Sequence, residues 1–109
     1  MTDRNRKLET GNQKLKTWEG ALYFDPEDPI YQEHFCGAPV VPGSLMVHAF
    51  LTISAQAGFP SECLVIEQFS FRGFLSPGRC SYRVIFSDGC LHCRIDQGNK
   101  IIAKGRLRT

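Results

Sequence analysis

The stretch Tyr31 to Gln56, YQEHFCGAPVVPGSLMVHAFLTISAQ, divides sharply at Gly43. Its first half contains four residues that interrupt any helix or strand: Gly37, Pro39, Pro42 and Gly43. We therefore expect His34 to lie in a tightly shaped loop. Beyond Gly43 the chain runs to Gly58 without a proline or a glycine, and apolar residues occur on nearly every side. This pattern is typical of a buried helix.

The start of this helix carries the first indication of chemistry. Pro42-Gly43-Ser44 opens it, and the first N–H groups of a helix have no intrahelical partner and lie at the positive end of its dipole. A carbonyl group placed there would be polarised. His34 precedes the helix and His48 follows its start, so titratable imidazoles flank a donor-rich site. This arrangement indicates acid–base chemistry on a carbonyl compound.

Two motifs resemble a known family. The pattern H-F-x-G-x-P-x-x-P-G-x-L-M, from His34 to Met46, resembles the signature of the 3-hydroxyacyl-(acyl carrier protein) dehydratases. The preceding segment DPIYQEHF is similar to the family's approach to that loop. A second segment, IEQFSFRGFLSPGR from Ile66 to Arg79, resembles a family strand that ends in a Pro-Gly turn. The resemblance implies an α+β hotdog fold, in which an antiparallel sheet wraps around one central buried helix.

The same resemblance implies roles for individual residues. His34 would remove the α-proton of a 3-hydroxyacyl thioester, and the backbone amide of Gly43 would bind the thioester carbonyl. The position of the family's acid, an Asp or Glu on the central helix of the partner subunit, falls on His48. A substrate tunnel would be lined by Phe35, Pro42, Leu45 and Thr52. The resemblance implies no metal and no other cofactor.

The chain departs from the family pattern at several positions of the site. Besides His48 at the acid position, these are Glu33 in place of a glycine, Cys36 in place of a proline and Thr52 in place of a glutamine. Burial on the helix would favour a neutral imidazole, which works against proton donation by His48. Three functions therefore stay open: a dehydratase, a non-catalytic subunit that binds acyl chains or completes a heterodimer, and a hotdog thioesterase. Cys36, beside His34, is a further candidate nucleophile, although no orienting third group is evident.

Length and composition limit the remaining possibilities. A chain of 109 residues with 42% hydrophobic content predicts one domain with a modest core. The net charge of +2 is too small to indicate nucleic-acid binding. No apolar run has the length of a membrane span and no secretory signal is evident, so we expect a cytoplasmic protein whose five cysteines are free thiols.

The domain organisation follows from the hydrophobic pattern. Residues 1–16 are polar and largely basic, which predicts a flexible arm, and residues 17–109 form the domain. The pattern predicts a first strand over 17–24 and four more after the helix, over 63–72, 80–87, 90–95 and 100–108. The Asp88-Gly89 pair predicts a hairpin. The acidic run from Asp25 to Asp28 indicates turns rather than a metal site.

Partners are also suggested by the sequence. A sheet with an exposed edge favours self-association, and the resemblance implies a homodimer or higher oligomer in which His34 of one chain faces His48 of the other. The thioester would be carried by an acyl carrier protein or by coenzyme A. Basic residues occur throughout the strand region and would either form a rim that steers an acidic carrier or an ordinary solvated face: Arg72, Arg79, Arg83, Arg94, Lys104, Arg106 and Arg108.

Overall fold

The computed structural model describes residues 16–34 and 39–109, with the backbone alone for residues 32–34. The predicted arm lies outside this part of the chain, except for Lys16, which begins the first strand. The elements, in chain order, are β1 (Lys16–Phe24), α1 (Pro29–His34), α2 (Gly43–Gln56), a short 3-10 turn (Ser61–Cys63), β2 (Val65–Phe71), β3 (Gly78–Ser87), β4 (Cys90–Gln97) and β5 (Lys100–Arg108). The five predicted strands and the predicted long helix are thus confirmed.

The five strands form one antiparallel sheet in the order β1-β3-β4-β5-β2. Strands β3, β4 and β5 are joined by tight turns. In the first turn Asp88 and Gly89 both have positive φ angles, 53° and 74°, as a two-residue hairpin with the right twist requires. The predicted hairpin is therefore confirmed. Strands β1 and β2 form the two open edges of the sheet.

Helix α2 packs on the sheet with one face only. Met46, Phe50 and Ser54, each one turn apart, are buried, whereas Ser44, His48 and Thr52 on the opposite side are exposed. The rings of Phe50 and Phe69 lie 5.9 Å apart between centroids. The expected burial of the helix therefore holds for the face on the sheet, because a single sheet covers only one side of it. Neither α1 nor α2, the two α-helices of the described residues, is long and apolar enough to cross a membrane.

The inner face of the sheet supplies the rest of the core. The alternation predicted for β3 is confirmed, since Cys80 and Val84 are buried. Phe59, just after α2, contacts Trp18 edge-on at 6.1 Å and Phe86 at 5.0 Å between ring centroids. These aromatic contacts tie the end of the helix to β1 and β3.

Two irregularities shift the register beside β5. Between Ile95 and Asp96 of β4 the pairing slips, so Asp96 faces Ile101 and the additional residue of β5 is Ile102. Ile102 is buried, with 3% of its surface exposed, whereas simple alternation along β5 would group Ile101 with the buried Ala103 and Leu107. Alternation alone cannot reveal an inserted residue. A second irregularity separates Glu67 from Ser70 in β2.

The first half of the stretch from Tyr31 to Gln56 is not entirely loop. His34 is the last residue of α1, so the prediction of a loop at this position was wrong. The physical reason is a start signal: Pro29 occupies the first helical position, where it is well tolerated, and Asp28 Oδ1 accepts the Ile30 N–H at 3.0 Å. Asp25 Oδ1 likewise accepts the Glu27 N–H at 2.9 Å, which confirms turn chemistry for the acidic run.

The cysteines of the described residues are free thiols: Cys63, Cys80, Cys90 and Cys93. Cys93 lies on the inner face of β4 with 3% of its surface exposed. Burial raises the pKa of its thiol from 9.0 to about 12. The folded protein therefore keeps this group protonated in a pH range where the unfolded chain ionises it.

This difference predicts a loss of stability at alkaline pH. The contribution of Cys93 is fully present below about pH 9 and is lost as the pH rises towards about 12, by up to about 1.4 kcal/mol for each unit. In urea unfolding at a series of pH values, Cys93→Ala should be less stable than the wild type at neutral pH because of its cavity. Its stability should then fall less steeply above about pH 9. If the free energy of unfolding fell equally with pH in the two proteins, the raised pKa of Cys93 would be contradicted.

Candidate active site

The start of α2 presents backbone donors that have no hydrogen-bond acceptor among the described residues. Pro42 is extended, with φ −62° and ψ 147°, and its carbonyl accepts the N–H groups of Leu45 at 3.1 Å and Met46 at 3.4 Å. The N–H groups of Gly43 and Ser44 precede the first of these bonds and have no acceptor within the helix. Both belong to the positive end of the helix dipole. This is the geometry that polarises a bound carbonyl.

A backbone tether holds the helix start beside the sheet. The N–H of Val41 donates to the carbonyl of Leu75 at 2.8 Å, and both side chains are buried. Leu75 belongs to the segment that follows β2. The residues before α2 and those after β2 are therefore held side by side, and the space between them is defined by both.

A crevice of about 490 Å³ opens between these two segments. Its size lies within the range of small-molecule sites, about 300 to 1,000 Å³. The walls are mainly apolar, and Phe74 stands at the lip with 82% of its surface exposed. The lining consists of Val40, Val41, Pro42, Gly43 and Met46 on one side, and Phe71, Arg72, Gly73 and Phe74 on the other. Apolar walls beside unpaired amides suit an apolar chain that ends in a carbonyl group.

Gly43 is in close contact with the sheet. A Cβ at this position would lie 2.9 Å from Phe71 Cζ, closer than carbon atoms approach in proteins. The aromatic ring therefore lies directly against the first residue of the helix. A methyl group at this position would require the ring to move, and the glycine leaves its amide uncovered by any side chain of its own.

The candidate base lies at the edge of the described chain. Helix α1 brings the backbone of His34 to its last position, and Tyr31, one turn earlier, anchors that helix with 5% of its surface exposed. Burial, with Asp28 and Asp25 nearby, raises the pKa of Tyr31, so this phenol stays protonated. The side chain of His34 lies outside the described part, as do Phe35 and Cys36.

His48 and Thr52 lie on the face of α2 that the sheet does not cover. His48 is exposed, contrary to the expectation of a buried imidazole, because α2 packs through the opposite face. The hydroxyl of Thr52 donates to the carbonyl of His48 at 3.1 Å. Leu45 is partly buried against the core. Of the predicted site residues, the single chain thus brings Pro42 and Gly43 to the crevice and holds His48 and Thr52 elsewhere.

The basic residues of the strand region do not form a rim around the crevice. Among them only Arg72 lines it. The others follow the alternation of their strands, which directs side chains such as Arg83 and Lys104 to the outer face of the sheet. Sequence reasoning also missed Phe71 and Phe74 as lining residues, although both belong to the second quoted motif.

Comparison with known families identifies the family of this chain. It matches the model of the ApeI-like family, described as ApeI dehydratase, over residues 10–105. This chain belongs to the ApeI-like dehydratase family. No curated protein sequence matches it.

Solved structures agree with this assignment at the level of the fold. The dehydratase heterocomplex ApeI:P from Xenorhabdus doucetiae is similar with a TM-score of 0.66 and 19% identity, over 94% of this chain and 90% of that one. An uncharacterised protein from Erwinia carotovora subsp. atroseptica is similar with a TM-score of 0.65 and 19% identity, over 87% of this chain and 83% of that one. A mutant of the fluoroacetyl-CoA-specific thioesterase FlK is similar with a TM-score of 0.54 and 18% identity, over 84% of this chain and 82% of that one. The predicted hotdog fold and dehydratase-like family are therefore confirmed.

The contact between Gly43 and Phe71 is testable by a double-mutant cycle. Gly43→Ala should lower the free energy of unfolding by about 1 kcal/mol, the low end of overpacking effects, because the exposed ring of Phe71 can shift to admit the methyl group. The loss should nearly vanish in a Phe71→Ala background, because the ring that meets the new methyl group is gone. Urea unfolding of the four proteins measures both effects.

Gly73→Ala serves as the matched control. A Cβ at Gly73 would lie 3.4 Å from Ile102 Cδ1, an ordinary contact, so this change should cost little in either background. Equal losses for Gly43→Ala with and without Phe71 would show that the ring does not constrain the helix start.

Proposed function

We propose that this chain is a dehydratase-like hotdog enzyme that acts on 3-hydroxyacyl thioesters of an acyl carrier protein or coenzyme A, in fatty-acid or polyketide-type metabolism. The observation that carries the proposal is the crevice at the start of α2, where apolar walls meet the unpaired amides of Gly43 and Ser44. Membership of the ApeI-like dehydratase family supports the reaction class. The cytoplasmic location stays a prediction.

The reaction would begin at the helix start. The Gly43 amide donates a hydrogen bond to the thioester oxygen, which acidifies the α-carbon by stabilising the enolate. The imidazole of His34 accepts the α-proton, and the electron pair of the broken C–H bond moves into the enolate. The enolate then forms the double bond as the C–O bond to the β-hydroxyl breaks. A proton from His48 or from water completes the leaving water molecule, and the product is a 2-enoyl thioester.

The exposure of His48 indicates how it would take part. On a single chain it lies on the uncovered side of α2, together with Ser44 and Thr52. A second copy packed on that side would place His48 of one chain towards His34 of the other.

The open edge at β2 supports pairing of two chains. Val65, Ile66 and Phe71 are exposed there by 45%, 53% and 47% of their surfaces. An unpaired strand with exposed apolar side chains is a template for another strand. The similar structure from Xenorhabdus doucetiae is itself a heterocomplex, so the edge would accept either a second copy or a related subunit. We propose the homodimer.

One observation favours the non-catalytic alternative. Helix α2, GSLMVHAFLTISAQ, contains neither aspartate nor glutamate, so the chain lacks a carboxylic acid at the position where the family has its proton donor. A subunit that binds acyl chains, or that completes a heterodimer, needs the crevice but not the acid. The similarity to a thioesterase keeps that third activity within the same test.

The proposed activity predicts formation of a conjugated enoyl product. The purified protein, incubated with a 3-hydroxyacyl thioester of N-acetylcysteamine, should give the enoyl absorbance. His34→Ala should lower the rate by about a hundredfold or more, because the base is removed. His48→Glu should raise the rate, since a carboxylic acid restores the donor, while Glu62→Ala, an exposed change in the 3-10 turn, should have no effect.

Two results would select the alternatives. A wild-type protein that binds the thioester without turnover, but gains turnover as His48→Glu, would be a non-catalytic relative. Release of free thiol without enoyl product would be thioesterase chemistry and would contradict the dehydratase.

The pairing edge predicts a second measurement. Ile66→Lys should convert the dimer to a monomer in size-exclusion chromatography with light scattering, because a charge enters the apolar edge. Tyr23→Lys, on the opposite edge strand and 66% exposed, should leave the dimer intact. Circular dichroism checks the fold, and Val65→Lys provides a second edge variant. A monomer from Tyr23→Lys alone would place the interface at β1.

A further inference from the structure

The outer face of the sheet carries a row of like charges. Arg83 on β3 stands opposite Arg94 on β4, and Arg94 stands opposite Lys104 on β5. Side chains directly opposite on neighbouring strands have Cβ atoms about 5 Å apart, and like charges at that spacing are destabilising. Three adjacent cations across three strands therefore carry a repulsion that an anion bound between them would relieve.

A second row continues the positive surface. His92 on β4 stands opposite Arg106 on β5, while Arg72 follows the end of β2. The two rows border a groove of about 440 Å³ on this face. Its polar lining consists of Gln68, Ser70, Arg72, Arg83, His92, Arg94, Lys104 and Arg106, and no carboxylate of the described residues contributes to it.

The nearby carboxylates hold the arginines from outside the groove. Glu19 pairs with Arg83 at 2.8 Å, and Asp96 pairs with Arg94 at 2.9 Å. Glu67 binds Arg108 at 2.7 Å and Arg106 at 3.3 Å. The hydrogen bond from Arg108, with the charge of Arg106, lowers the pKa of Glu67, so this partner stays ionised at neutral pH. These pairs orient the guanidinium groups, and among the described residues they leave Arg72 and Lys104 as the groove cations without a carboxylate partner.

Two lining groups have unused capacity. Lys104 is exposed and makes no ion pair with any carboxylate of residues 16–31 or 39–109. Arg106 Nε is buried and has no hydrogen-bond partner in the described chain. A buried donor without an acceptor is uncommon in folded proteins and indicates a missing partner.

Backbone strain occurs at the same place. Gln68, in the irregular part of β2, has a φ angle of 53°, which a residue with a side chain adopts only at some energetic expense. Its exposed amide side chain lines the groove. The bulge therefore directs an additional hydrogen-bonding group towards the cationic rows.

We propose that this groove binds the phosphate or diphosphate group of a small ligand. Guanidinium forks match phosphate oxygens in pairs, and a lysine adds a point charge. The groove is concave and has the volume of a small-molecule site, which favours a small anion over a protein surface. It lies on the opposite side of the sheet from helix α2 and shares only Arg72 with the crevice, so pyrophosphate binding can be tested separately from the proposed dehydratase activity.

Titration with inorganic pyrophosphate tests the site. Calorimetry on the full chain should show one site for each chain, with an affinity that falls as salt is added. Lys104→Gln should weaken binding about tenfold or more, because it removes a charged hydrogen bond. Lys100→Gln removes the same charge from the start of the same strand, outside the groove, and should leave the affinity within about twofold.

Thermal melting provides a second measurement, whose result does not depend on net charge alone. Without pyrophosphate, Lys104→Gln should melt at a higher temperature than the wild type, because the repulsion in the row is relieved. At the same pyrophosphate concentration, the melting temperature of the wild type should rise more than that of Lys104→Gln. Absence of binding by the wild type would overturn the proposal. Equal weakening by Lys100→Gln and Lys104→Gln, or displacement of pyrophosphate by poly-glutamate at equal charge concentration, would do so as well.

Discussion

The one-sided packing of α2 on the sheet is the constraint on which the rest of the structure depends. Phe50 is fully buried against Phe69, and Met46 and Ser54 extend the contact by a turn on either side. The hydroxyl of Ser54 donates to the carbonyl of Phe50 at 2.7 Å, so the polar group in this seam is satisfied. Every strand is thereby divided into an apolar side towards the helix and a charged side away from it.

The candidate site depends on the position of the start of α2, which that packing fixes. The first residue of α2 lies against the ring of Phe71, and the amides of the helix start open towards apolar walls. Because the donors are backbone groups, their position depends on the fold rather than on the identity of nearby side chains. A chain can therefore depart from a dehydratase pattern at Cys36, His48 and Thr52 without losing the backbone donors that we propose for the carbonyl.

Much of the fold follows from local pattern. Alternation predicted β3 and its neighbours, the Asp88-Gly89 pair predicted the hairpin, and the run after Gly43 predicted the long helix. Features that depend on distant pairing could not be found this way. The inserted Ile102 is visible only against β4, and the exposure of His48 depends on how many layers cover the helix. Helix α1 was missed because the prolines and glycines further along the stretch outweighed the start signal at Asp28 and Pro29.

The candidate site was predictable in part for the same reason. Pro42 and Gly43 are recognisable because a helix start has a local signature, and both lie at the crevice. Phe71 and Phe74 are distant in sequence, and only the tether between Val41 and Leu75 brings their segment beside the helix. The cationic rows likewise arise from register between strands, which composition does not specify.

The irregularities on both flanks of β5 have a geometrical consequence. Each adds a residue to one strand of a pair. Ile102 is the extra residue of β5 opposite β4, and β2 has one extra residue between Glu67 and Ser70 opposite β5. Extra residues bend a strand and increase its local twist, so the sheet curls along the line of β5. A curled sheet has a concave side matched to a cylinder and a convex side on which side chains fan apart. Deleting the inserted isoleucine would leave Ile101 opposite Asp96 and Ala103 opposite Ile95, and would straighten that line without turning the flanking residues over.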